Sequence, residues 1–257
     1  MKINKIEKLK NNKYKIIIDK ESIITFDNVI LDNNLLYKKE IDNDLYKTII
    51  KDTEYYDNYN KVFKYIMKRR RSEKEIIKYL IKLEVKKEDI DNIINKLKNI
   101  NLINDIDYCK AFINDKINLS KQGINKIRID LLEQDIPVEI IEEELSKIDI
   151  EVLNNRLEKM IIKKIQSNKK YSKNQLKQRI LNEMINLGYS KDLILNIIEE
   201  NMIDDKSIIE KEFDKIYNKL SKKYSRSELN IKLKQKLLSK SFDSYDIDSL
   251  IRKKTEE

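Results

Sequence analysis

Tyr65–Leu80 reads YIMKRRRSEKEIIKYL, and the fold turns on its middle. Ser72-Glu73-Lys74-Glu75 has the form of a capping box: the Ser hydroxyl accepts from the third helical N–H while the Glu reaches back to the Ser N–H. A helix therefore starts at Ser72. The same form returns as Ser172-Lys173-Asn174-Gln175 and as Ser225-Arg226-Ser227-Glu228, each preceded by a tyrosine, Tyr171 and Tyr224. Three copies point to an internal repeat.

Further along, an apolar residue precedes a short polar start and an Ile follows five positions later: Val85/Ile90, Ile136/Ile141, Tyr189/Ile194 and Phe242/Ile247. This is the spacing of a hydrophobic staple, which fixes how a chain enters a helix. The four staples are spaced by 51, 53 and 53 residues. Pro137 is expected in a first helical turn, where its missing N–H costs nothing. Ahead of the capping serines lie further amphipathic segments, carried by Val62, Phe63 and Ile66, by Phe112, Ile113 and Ile117, by Leu157, Ile161 and Ile165, and by Phe213, Ile216 and Leu220. Each unit reads as three helices with an apolar face that a neighbour can cover.

The expectation is a mainly α protein: tandem three-helix repeats in an elongated, curved array. An N-terminal module (1–57) precedes repeats at 58–104, 105–154, 155–203 and 204–257. In that module Tyr14–Asp19 and Ser22–Phe26 are β-branched runs that suggest a short hairpin, followed by helical patterning through Leu45, Tyr46, Ile49 and Ile50.

Composition agrees. The 257 residues include only two glycines and one proline, too few turn residues for a β-sandwich or barrel. Charged residues make up 39% and hydrophobic ones 40%, and Ile and Leu recur at helical spacing, which argues against disorder. A single cysteine excludes an internal disulfide. The first residues lack the apolar run of a signal peptide, and no apolar stretch reaches membrane-spanning length; a cytoplasmic protein is expected.

The sequence offers little for catalysis. There is no histidine, hence no usual general base and no common metal ligand, and two isolated glycines cannot build a phosphate loop. Cys109 lacks an activating partner and reads as a small buried side chain. Asn104-Asp105-Ile106-Asp107 and Asp204-Asp205 read as helix caps before cation ligands. No enzyme and no cofactor is expected.

What remains is charge. The net value is +9, which makes a polyanionic partner plausible. Lys68-Arg69-Arg70-Arg71 is the densest cluster, and cations at a helix end complement its dipole without any ligand. Basic groups recur before the later caps, at Lys169, Lys170 and Lys173 and at Lys222, Lys223 and Arg226. Stacked repeats would line such corners up as a positive ridge. A phosphate or acidic-partner contact and a plain solvated face both stay open.

These residues resemble the RecX family of regulatory proteins. The resemblance is carried by Ile66 through Glu75 with Leu80, by Leu97 and Leu102-Ile103-Asn104-Asp105 into Tyr108-Cys109-Lys110-Ala111-Phe112, by Gly123–Ile127 with Leu131 and Ile136, and by Leu187-Gly188-Tyr189-Ser190 with Ile194. It covers residues 58 to 255, and the N-terminal hairpin looks like the extension of the Gram-positive branch. Gln134-Asp135-Ile136 departs from the family, which often has a glycine before the staple residue.

The resemblance implies a non-enzymatic regulator in homologous recombination, DNA repair and the SOS response. It would bind the RecA recombinase filament, with the DNA inside it and free DNA more weakly, as a monomer, and restrain filament extension and activity. The residues expected to line that contact are Lys68, Arg69, Arg70 and Arg71; Lys126 and Arg128; Lys169, Lys170 and Lys173; and Lys222, Lys223 and Arg226. Two alternatives are a sequence-independent nucleic-acid-binding module and a helical-repeat scaffold for another protein.

Overall fold

The structure is a computed structural model and describes residues 1–202 and 206–256. Asp204-Asp205 lies outside them. Among the described residues there are three strands and thirteen α-helices: β1 (Ile3–Lys8), β2 (Lys13–Ile18), β3 (Glu21–Phe26), α1 (Asp27–Asp32), α2 (Asn43–Ile66), α3 (Glu73–Lys82), α4 (Lys87–Asn99), α5 (Asp105–Leu119), α6 (Ile124–Leu132), α7 (Val138–Ser146), α8 (Ile150–Gln166), α9 (Lys173–Asn186), α10 (Lys191–Asn201), α11 (Lys206–Leu220), α12 (Arg226–Leu238) and α13 (Ser244–Glu256). They form two compact units, Met1–Ala111 with Leu132–Ile140, and Phe112–Leu131 with Ile141–Glu257.

The expected N-terminal hairpin is present as β2-β3, and β1 extends it to a three-stranded antiparallel meander, β1-β2-β3. Ile3 and Ile6 are three residues apart, a spacing that does not read as a strand. Yet Ile3 pairs with Ile18 and Ile6 with Ile16, because a β-bulge between Ile3 and Lys5 adds one residue. Both isoleucines thereby reach one face. Asn11 and Asn12, at φ 59° and 55°, turn β1 into β2; asparagine tolerates this left-handed region better than most residues. The inner face of the sheet packs Ile16 and Ile18 on Val29 and Ile30 of α1, Leu35, Ile41 and Ile49 of α2.

Helix α2 crosses residue 57, so the N-terminal module and the first helical triplet share one continuous 24-residue helix. Its C-terminal half joins α3 and α4 in a core of Val62, Ile66, Ile76, Leu80, Ile90, Ile93, Ile94 and Leu97. In the second unit, α8, α9 and α10 share a core around Leu157, Ile180, Met184, Ile194 and Ile198. Helices α11, α12 and α13 share another around Phe213, Leu220, Leu233, Leu237 and Ile247.

Within each triplet the turn between the second and third helices is the same device. Glu84, Asp135, Gly188 and Ser241 take φ values of 59°, 60°, 90° and 61°, and each stands directly before a staple residue. After α3, the Glu84 N–H donates to Ile81 O and the Val85 N–H to Leu80 O; after α9, Gly188 donates to Ile185 O and Tyr189 to Met184 O. This is the Schellman closure, which satisfies carbonyls left over at a helix end. The staple residues Ile90, Ile136, Ile141, Tyr189, Ile194, Phe242 and Ile247 are all buried. Helix α7 begins at Val138, so Pro137 stands one residue ahead of the first turn.

Candidate anion-binding interface

The predicted cations sit around the start of each triplet's second helix, where chain entry is held by a recurring joint. Ser72 caps α3 by accepting from the Glu75 N–H at 3.1 Å, and its hydroxyl donates to Gln134 Oε1 at 3.0 Å, on the α6–α7 turn. Ser172 caps α9 by accepting from the Gln175 N–H at 3.2 Å and donates to Lys240 O at 2.8 Å, on the α12–α13 turn. At α6 the cap position is Gly123. Its N–H donates to Leu187 O at 2.7 Å and the Asn125 N–H donates to Gly188 O at 3.1 Å, on the α9–α10 turn. The N-terminus of one triplet's second helix thus docks on the second turn of the next.

The chain's two glycines meet at this middle joint. A Cβ on Gly123 would stand 2.7 Å from Gly188 O, and one on Gly188 would stand 2.3 Å from Lys126 N. Only hydrogen fits at either position.

Around these joints the twelve candidate cations fall into two groups. Carboxylates of the chain itself hold five. Arg69 Nη2 lies 2.5 Å from Glu75 Oε1, Arg71 Nη1 lies 3.3 Å from the same oxygen, and Arg70 Nη1 lies 3.2 Å from Asp107 Oδ2. Arg71 is the most enclosed: its side chain is 12% exposed, with its guanidinium 3.8 Å from the Tyr65 ring, which stacks on Tyr79 at 4.4 Å. Beside Arg69 and Ser72, burial pushes the Tyr108 phenol up to about 12. In the second triplet Arg128 grips Glu142 with Nε at 2.5 Å and Nη2 at 3.0 Å, and this hydrogen bonding holds the Glu142 carboxyl below its usual range. Lys126 lies 2.8 Å and Lys116 3.3 Å from Asp130. Burial pushes Asp130 up, but hydrogen bonds from Lys126 and Lys116 outweigh it and leave the carboxyl lowered.

The second group is exposed. Lys68, Lys169, Lys170, Lys173, Lys222 and Lys223 have no carboxylate partner among the described residues. They precede or open α3, α9 and α12, and Arg226 opens α12 beside them as its first residue. The Lys170 Nζ stands 5.5 Å over the Tyr171 ring, whose other neighbour is the Arg179 guanidinium at 4.4 Å. Tyr171 is thus occupied by the chain's own cations. Tyr224 is half exposed.

Sequence reading missed Lys121, which is exposed and stands two residues before the cap at Gly123. Arg70, Lys170 and Lys223 stand two residues before Ser72, Ser172 and Ser225. The signal was present as a cation at a fixed offset, but Gly123 does not look like a cap serine and hid the register.

The remaining candidates are structural. Cys109 is fully buried, and Asn104 Oδ1 caps α5 by accepting from the Asp107 N–H at 3.1 Å. Among the described residues no group of three or more His, Cys, Asp or Glu side chains is placed to hold a metal ion, and no helix is long and apolar enough to cross a membrane.

No family model matches the chain. Among curated proteins, "Regulatory protein RecX" of Streptococcus agalactiae serotype III (strain NEM316) is 31% identical over 264 residues, covering 98% of this chain and 99% of the relative. That of Streptococcus gordonii is 30% identical over 257 residues, with the same coverage. That of Listeria monocytogenes serotype 4b (strain F2365) is 30% identical, covering 96% of this chain and 94% of the relative. A crystal structure of regulatory protein RecX superposes with a TM-score of 0.66 at 23% identity, covering 77% of this chain and 98% of that one. The structure of RecX from Lactobacillus salivarius gives a TM-score of 0.50 at 26% identity over 57% of this chain and 95% of that one. With relatives at this identity matched along nearly their whole length, the chain belongs to the RecX family of regulatory proteins.

Proposed function

We propose that this protein is a non-catalytic regulator that binds the RecA filament on DNA and restrains its assembly and activity. The contact is made by the exposed lysines ahead of the second helices: Lys68, Lys121, Lys169, Lys170, Lys173, Lys222 and Lys223. The observation that carries this reading is the family membership together with the split among the cations. Arg69, Arg70, Arg71, Lys126 and Arg128 are neutralised by carboxylates of the chain itself, whereas the lysines are available to an outside anion. Several modest contacts to a repeating partner add up through multivalency, so no deep pocket is needed. Residues 58–104, 105–154, 155–203 and 204–257 act in this reading as successive three-helix repeats, each presenting one basic corner.

The test is RecA's single-strand-DNA-dependent ATP hydrolysis and filament length, with the protein well below one copy per RecA. Both fall if the reading holds. A plain nucleic-acid-binding module, which the exposed lysines would also suit, would instead change ATP hydrolysis only when added in amounts that cover the DNA. A scaffold for an unrelated partner would do neither.

A further inference from the structure

The N-terminal sheet carries a second basic face, separate from the lysines at the helix starts. Residues 1–26 hold seven lysines against three carboxylates, whereas residues 27–57 hold four lysines against eight carboxylates. The first set builds the sheet and the second the helical side behind it. The module is therefore electrically polarised from one side to the other.

Strand register decides which side chains share the outer face. Ile16, Ile18 and Ile23, with Ile3, Ile6 and Tyr14, belong to the core. The alternate residues pair across the strands as Lys5 with Ile17, Glu7 with Lys15, Lys15 with Ile24 and Lys13 with Phe26, so they occupy the opposite face. Glu7 is the lone carboxylate among these and is held by Lys5, whose hydrogen bond and charge keep it low. On the central strand, Lys13 and Lys15 stand within ion-pair distance of no carboxylate among the described residues, although Lys15 faces Glu7 across the ladder and its charge also lowers that carboxyl. Lys13 Nζ lies 5.3 Å from the Phe26 ring centroid and helps cover that ring, which is buried, while Ile24 is exposed. Lys10 and Lys20, in the two turns, extend the charge at either end.

We propose that this outer face is a binding surface for the nucleic-acid backbone, centred on Lys13 and Lys15. Six residues of strand give a platform about 20 Å long. The face has no free aromatic ring for base stacking and no Arg, Asn or Gln on the outer register positions to read base edges, so it binds phosphates without regard to sequence. Lysine suits this as a mobile point charge. A duplex, with the denser phosphates, is preferred over a single strand. This surface goes beyond the RecA reading and needs no recombinase.

The test uses the full chain and a fluorescent mixed-sequence DNA duplex of about 30 base pairs, titrated at several salt concentrations without RecA, a length ample for such a site. Lys13→Thr with Lys15→Thr keeps β-compatible side chains. It should weaken binding about tenfold and lower the slope of log affinity against log salt by about 1.8, since each phosphate contact contributes about 0.9. Lys13→Glu with Lys15→Glu should weaken it further. Lys47→Gln with Lys51→Gln, on α2, removes the same charge elsewhere in the module and should leave the slope unchanged. Equal effects of the Thr and Gln pairs, in variants with unchanged circular dichroism, would overturn the proposal. So would loss of binding to polyglutamate with duplex binding intact, which would assign the face to an acidic protein. Because RecA is absent, either result is separate from success or failure in the ATP hydrolysis test.

Discussion

Gly188 and Asp135 occupy equivalent turns, yet only one of them is a glycine. Gly188 needs its missing Cβ twice over, for a φ of 90° and for the approach to Lys126. Gly188→Ala should destabilise the second unit by about 2–3 kcal/mol, from left-handed strain plus the clash, and denaturant titration will show it. Asp135 and Glu84 carry a side chain through the same left-handed turn, which costs about 1 kcal/mol. Glu84→Gly should therefore raise Tm by about 2–4 °C. Asp135 also pairs with Lys74 at 2.9 Å, so Asp135→Gly should gain less. Departure of Asp135 from the family's glycine was legible from sequence; that Glu84 and Ser241 share its conformation was not, because neither residue type signals a positive φ.

Asp130 gives a prediction in pH. Its folded-state pKa is lowered by Lys126 and Lys116, so its contribution to stability is complete above the ordinary value of 3.8 and is lost as pH falls through the lowered one. Asp130→Asn should lower Tm near neutral pH. The gap from the parent should close as the pH drops below 3.8. A gap independent of pH would mean that packing, not charge, is what Asp130 supplies.

At the scale of elements, capping serines and staples carried most of the helical architecture in plain view. Ser72, Ser172 and Ser225 do start helices, and Glu228 closes the last box by accepting from the Ser225 N–H at 3.3 Å and its hydroxyl at 2.9 Å. What the residues concealed is the outward bond of each buried serine. Side-chain type announces a cap but not the carbonyl on a distant turn to which the hydroxyl donates. Ser72→Ala should cost about 1–2 kcal/mol, the cap and the link to Gln134 together, while Ser225→Ala, which has no such link among the described residues, should cost about 1 kcal/mol or less. Strand β1 was hidden for a related reason. Its two core isoleucines are out of step by one residue until the bulge is counted, and its turn is Asn11-Asn12, not a Gly-containing pair.

The candidate site was only half legible. Sequence located the basic corners but could not separate a cation held by a carboxylate from one that is available, since Glu75, Asp107, Glu142 and Asp130 lie 4 to 37 residues from their partners. The arginines of the opening cluster therefore answer mainly to folding. Arg71→Glu would set a carboxylate beside Glu75 and under Tyr65, so loss of function there would report misfolding before any lost contact.

For the molecule as a whole, the proposed function assigns filament binding to the exposed lysines and folding to the paired arginines. The direct measurement is the salt dependence of binding to RecA filaments assembled on single-stranded DNA, comparing the parent with Lys169→Glu/Lys170→Glu/Lys173→Glu and with Arg128→Gln. The lysine variant should bind at least tenfold more weakly with a flatter salt slope, as expected when several phosphate or carboxylate contacts are removed, and Arg128→Gln should keep the parent's slope. A lysine variant that stays folded and binds filaments with the parent's affinity and slope would contradict the account.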